Sequence, residues 1–228
     1  MCFSATASFA AAGVTSIAGG AALHRARRSQ LLLAAIPLLF AIHQFAEGLL
    51  WLGLTQPQHA AWQRPAMLTF LFFGEVVWPV WVPLAILAVE DDPARQQVLR
   101  ALLLLGVVLA LSRAYGLIAY PVSAAIAGQH IQYRLDAPFT PRRIADVCYA
   151  IVTVVPPLVS SIRLVRWLGV LLLASLVFSK LLFYETFIST WCFFAALISA
   201  LVVAVVRSRR RRGAPPTDQP QPSSAAAA

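Results

Sequence analysis

The chain has 228 residues, of which 60% are hydrophobic and only 12% charged, with a mean hydropathy of +0.75. A soluble domain carries about 25% charged residues, and one of this size could not hide so much apolar surface from water, so lipid is the solvent that fits. The net charge of +9 does not point to nucleic acid. The Arg residues sit in short clusters between apolar runs, as in loops facing an anionic cytoplasmic leaflet, and no nucleic-acid-binding motif accompanies them.

Seven apolar segments follow in chain order, over residues 5–23, 31–54, 66–89, 98–120, 143–162, 166–184 and 186–206. Each is near the roughly 20 residues needed to cross about 30 Å of hydrocarbon. They predict an all-α integral membrane protein, a bundle of seven transmembrane helices. The count drops to six if residues 5–23, rich in Ala, Gly and Ser, are only half inserted. The last two spans are joined by a tight turn at Tyr184-Glu185-Thr186. Residues 121–142 form the longest connection and are read as a surface loop, although His130-Ile-Gln-Tyr-Arg-Leu-Asp136 alternates polar and apolar as a short strand or lid would. The basic run from Arg207 leads into a Pro-, Ser- and Ala-rich tail, Gly213 to Ala228, expected to be disordered.

Orientation follows from the asymmetry of basic residues. One set of loops holds Arg25, Arg27, Arg28, Arg95, Arg100, Arg163, Arg166, Arg207 and Arg209 to Arg212, twelve in all; the other holds only Arg64, Arg134, Arg142 and Arg143, four. With seven spans this places the C-terminus in the cytoplasm and the N-terminus outside. Trp51, Trp62 and Trp191 are then expected at the outer interface and Trp167 at the inner one.

Ionisable side chains inside the spans need a reason, since each costs about 2.5–3.5 kcal/mol at mid-membrane even on the lenient insertion scale. His43, Glu47, Glu75, Arg113, Asp146, Lys180 and Glu185 all fall in the middle or outer half of their helices. His43, Glu47 and Trp51 recur at i, i+4 and i+8 on one face. Asp146, Tyr149 and Thr153 share a side of the fifth helix, Lys180 and Tyr184 a side of the sixth, and Ser189, Cys192 and Ser199 a stripe of the seventh. Such stripes turn inward because lipid cannot satisfy them. Structural ion pairs that fix helix register explain one or two pairs among these groups; seven groups in the same half of the membrane exceed that need and point to a polar pocket opening outward. His43 and Glu47 are its candidate acid–base pair. Cys2 is the candidate nucleophile, and Glu75, Arg113, Asp146, Lys180, Tyr184 and Cys192 are candidate binding residues. His43 and Glu47 also have i, i+4 metal-ligand spacing, so a divalent metal is a candidate cofactor, although the second His of an HExxH helix is missing. Cys2, Cys148 and Cys192 map to the outer side, and an odd number cannot pair fully within one chain.

The opening MCFSATASF, the HQFAEGLLW of the second helix and the WCFFA of the seventh resemble an uncharacterised family of bacterial multipass membrane proteins. The likeness covers most of residues 1–206. It implies a bacterial cytoplasmic-membrane protein and draws attention to Cys2, Ser4, His43, Gln44, Glu47, Trp191 and Cys192, but carries no activity. Function from sequence is therefore an outer-leaflet polar pocket that binds, and in one version processes, a small amphiphile or metal. The competing readings are a proton- or ion-coupled transporter and a non-catalytic accessory subunit held by structural ion pairs. The expected partners are the bilayer and that ligand, with no nucleic acid.

Overall fold

The computed structural model describes residues 4–128, 130–135, 142–182 and 187–212. Helix α1 (Ala5–Leu23) starts at Ser4, whose hydroxyl oxygen accepts from the Ala7 amide at 3.2 Å. Its small residues have a packing role. Gly19 lies so near α2 (Leu31–Thr55) that a Cβ there would be 2.8 Å from the Leu38 nitrogen, and the Phe9 ring covers Gly48. Lipid is as apolar as a Leu side chain, so helices in it associate through this kind of close approach. The Ala, Gly and Ser that weaken residues 5–23 as an apolar segment are what lets α1 lie along α2.

The third apolar segment is a composite. A 3-10 turn (Pro57–Trp62) leads into α3 (Gln63–Leu71), a π-helical turn (Phe72–Val77) and α4 (Trp78–Leu87). Pro79 has no N–H to offer the Glu75 carbonyl, and its ring crowds that carbonyl. The turn before it widens, and the Trp78 amide bonds to the Phe73 carbonyl five residues back. Pro83 likewise has no donor for the Pro79 carbonyl. Gly106 of α5 (Pro93–Ala119) packs against that oxygen so closely that a methyl would run into it.

Residues 122–135 correct the surface-loop expectation. β1 (Val122–Ala127) and β2 (His130–Leu135) pair antiparallel, Val122 opposite Leu135 and Ala127 opposite His130, and the turn begins at Gly128 with φ of 63°. His130, Ile131 and Tyr133 are buried, and the Tyr133 ring stacks on Phe70 with centroids 4.9 Å apart. The polar–apolar alternation was thus a strand packed down onto the bundle.

The remaining helices are α6 (Arg142–Val159), α7 (Arg163–Leu182), α8 (Phe187–Ser199) and α9 (Val202–Arg212), the last two divided at Ala200–Leu201. Each predicted apolar segment is helical. Among the described residues six helical stretches are long and apolar enough to cross a membrane, and Ile144–Val159 within α6 is a shorter apolar helix. The turn predicted at Tyr184 to Thr186 lies outside the described residues, as does the tail from Gly213.

The buried apolar residues form two main clusters along α2. One holds Leu33, Ile36, Phe40, Trp78, Ile86, Leu168 and Val202. The other holds Ala46, Leu50, Trp51, Phe70, Ile131, Tyr133 and Cys192. Between Phe40 and Leu50 the same helix buries His43, Gln44 and Glu47, each with no exposed surface.

Candidate functional site

The polar level of α2 is built by its period. His43 and Glu47 lie one turn apart on the face turned into the bundle, and Gln44 beside them is buried too. Glu47 Oε1 accepts from the Ser189 hydroxyl of α8 at 2.6 Å, and Oε2 faces the Gln44 amide at 3.4 Å. His43 is held in an aromatic cage. The Trp78 indole N–H donates to its Nδ1 at 3.2 Å, and its ring lies 4.2 Å from Phe70 and 5.8 Å from Phe73, centroid to centroid. A donor at Nδ1 puts the imidazole proton on Nε2. The Phe70 backbone interacts with the ring, but the geometry falls short of a hydrogen bond to Nε2, which has no partner.

The π-helical turn presents Glu75 to α5, where its Oε2 is 3.2 Å from Arg113 Nε; the two side chains are 14% and 19% exposed. The ions are close, yet the Arg113 Nε–H is not aligned as a hydrogen bond. Tyr149 of α6 lies within electrostatic range of Glu75, Arg113 and Cys192, and Cys192 within range of Glu47 and Glu75. His43, Glu47, Glu75, Arg113 and Cys192 therefore occupy one neighbourhood. Asp146 and Lys180 make a separate pair, Nζ to Oδ2 at 3.0 Å, with about a third of each side chain exposed. Cys2 and Tyr184 lie outside the described residues, as does Glu185.

Beneath this level is a cavity of about 70 Å³ whose walls are almost entirely apolar, among them Leu33, Ile36, Leu168, Leu172 and Val202. Its upper wall is shared with the polar level: Trp78, Tyr149, Trp191 and Cys192 line it. Among the described residues no three His, Cys, Asp or Glu side chains gather as a metal set. His43 and Glu47 stand next to each other, but Nδ1 of His43 is already taken by Trp78.

Three features escaped sequence reasoning. Trp78 is the hydrogen-bond partner of His43; its place one turn after Glu75 on the Pro-disturbed helix was the available signal. Trp51 and Trp191 are 6% and 5% exposed and turn into the bundle, while Trp62 and Trp167 are exposed. The stripe that Trp51 shares with His43 and Glu47 is the signal that it turns inward. Glu90 is 3% exposed and bonded to residues seventy positions away, for which the sequence offers no local signal.

These elements describe a helical protein with several helices suited to a membrane and a buried polar level resting on an apolar cavity. Over residues 1–218 the chain matches a family of unknown function (DUF6629), and it belongs to that family. No curated protein and no solved structure matches it.

Proposed function

We propose that this protein spans a bacterial cytoplasmic membrane, hairpin and N-terminus outward, and binds a small single-chain amphiphile within its helices. The headgroup occupies the His43–Glu47 level, and a stretch of the hydrocarbon tail enters the partly open apolar cavity while the rest runs out between the helices. One observation carries this reading: the charged, hydrogen-bonding level and the apolar cavity share a wall, with Trp78 bonded to His43 on one side and lining the cavity on the other. Ligand sites of this kind are mostly apolar with a few convergent polar groups. His43 and Glu47 contact the headgroup, and the Glu75–Arg113 pair sets the local potential. The hairpin covers the site through the stack of Tyr133 on Phe70 on His43. A transporter would need polar groups continuing past this level, and there the lining turns apolar.

The test is thermal unfolding of the protein in lipid nanodiscs against added dodecyl-chain amphiphiles. At a hundredfold excess over Kd a ligand stabilises by about 2.7 kcal/mol, on the order of 5–10 °C for a chain of this size. Ala195→Leu or Ile198→Trp, which fill the cavity, should remove the shift. No shift with any headgroup, or an equal shift in the filled variants, contradicts the proposal.

A further inference from the structure

We infer that the headgroup of this ligand is uncharged and hydroxylated, as in a monoalkylglycerol or a simple glycolipid, and this rests on the amphiphile reading above. The observation is a set of buried polar atoms left without partners at one level of the bundle: Ser8 Oγ, Trp51 Nε1 and Thr190 Oγ1. Ser8 and Thr190 have no exposed surface and Trp51 has 6%. Buried donors and acceptors are nearly always satisfied, so several at one height of the bundle call for something that satisfies them.

Their common level follows from contacts already described. Gly19 against Leu38 and Phe9 against Gly48 fix the antiparallel register of α1 on α2, which sets Ser8 beside the turn from Glu47 to Trp51. Ser189 bonds to Glu47, so Thr190, the next residue, enters at the same height from α8. Trp51 is on the stripe of His43 and Glu47. Three helices thus bring two buried hydroxyls and an indole N–H to about the height of Glu47.

The chemistry of these groups selects among headgroups. An indole N–H only donates, so the ligand must bring an acceptor; Ser and Thr hydroxyls donate or accept, and a ligand hydroxyl answers both. An anionic head would meet Glu47 at close range, while the nearby guanidinium of Arg113 already faces Glu75. A quaternary ammonium head would be drawn to Glu47 but has no acceptor for Trp51. A neutral diol or sugar satisfies the donors without opposing the carboxylate.

Three probes with the same tail decide it: 1-O-dodecylglycerol, dodecyl phosphate and dodecyltrimethylammonium, each titrated against the protein in nanodiscs with the unfolding temperature as readout. Dodecylglycerol should bind at least about tenfold more tightly than either charged probe, the discrimination one buried hydrogen bond to a ligand supplies. Thr190→Val, which keeps shape and removes the hydroxyl, and Trp51→Phe should each cost dodecylglycerol about tenfold and leave the charged probes unchanged, collapsing the preference. Tighter or equal binding of a charged probe that Ala195→Leu abolishes overturns the headgroup assignment and leaves the amphiphile reading standing. A preference for dodecylglycerol that survives both hydrogen-bond variants also overturns the assignment. Binding of none of the three overturns both.

Discussion

Among the described residues Glu47, at the polar level, and Glu90, between α4 and α5, are both buried, and they are treated in opposite ways. Glu90 collects local donors. The Ser161 amide reaches it at 2.7 Å, the Ser160 hydroxyl at 3.1 Å and the Asp92 amide at 3.2 Å, while Arg95 bonds to the Val159 carbonyl beside it. The α4–α5 connection is pinned to the α6–α7 connection, and each of those donors has its acceptor. Around Glu47 the described contacts are side chains from other turns, and hydroxyl and indole groups at its height are left without partners. A carboxylate wrapped in backbone N–H groups is a joint that fixes helix ends. The one at the height of unsatisfied buried hydroxyl and indole groups is where we propose that the headgroup binds. Burial alone does not distinguish the two; the hydrogen-bond inventory does.

The largest expected effect tests the joint. Glu90→Ala leaves three donors facing an apolar gap and should lower unfolding stability in detergent by about 3 kcal/mol, given 1–3 kcal/mol per unsatisfied buried group and imperfect additivity. Burial acts to raise the Glu90 pKa, but the hydrogen bonds from Ser161, Asp92 and Ser160 outweigh it and hold the group below its ordinary 4.5. A carboxyl lowered by folding contributes stability above its unfolded value and loses it as pH falls through its folded value. The difference between wild type and Glu90→Gln should therefore be full at pH 7 and shrink once the pH drops below about 4.5. A pH-independent difference would remove the carboxylate's charge from the account.

Next in size is the Glu75–Arg113 pair. Arg113→Ala strands Glu75 in a mostly buried position and should cost about 2–3 kcal/mol, less than the 3–5 of a fully buried pair because both side chains keep some solvent. Adding Glu75→Gln should restore most of that loss, which a chemical-denaturation double-mutant cycle would show. Glu47→Gln should change stability by less than about 1 kcal/mol, because a neutral amide of the same shape avoids burying a charge. It should nevertheless abolish the shift with dodecylglycerol. A loss as large as that of Glu90→Ala would make Glu47 a second joint. The smallest effect belongs to Lys180→Ala, under about 1 kcal/mol, since the Asp146 pair is a third exposed and an exposed pair contributes little.

What the sequence made legible was periodicity and cost. Within the described residues the apolar segments are helical over most of their length, and the stripe of His43, Glu47 and Trp51 is buried, as the expense of leaving polar groups in an apolar solvent requires. Ser189, Cys192 and Ser199 are buried together on the last apolar segment for the same reason. The alternation from His130 to Leu135 is the signal of β2, whereas its partner strand, Val-Ser-Ala-Ala-Ile-Ala, is too small and plain to announce itself. Long-range pairing stayed hidden. Nothing near Glu90 in sequence tells of Ser160 and Ser161, and Glu75 reveals its partner only once Pro79 has widened the turn that presents it. Spacing places residues on faces; which faces meet is decided by contacts such as Gly106 against the Pro79 carbonyl.

The central claim is that the apolar cavity under the His43–Glu47 level holds a hydrocarbon tail. Photolabelling with a dodecylglycerol analogue carrying a diazirine near the end of its tail, followed by peptide mapping, tests it directly in nanodiscs. The account predicts saturable labelling of the α7 and α8 peptides that line the cavity, around Leu172 and Ala195, displaced by excess dodecylglycerol and lost in Ala195→Leu. Labelling confined to residues exposed on the outside of the bundle such as Leu104 and Ile118, proportional to probe concentration and indifferent to competitor, would contradict it.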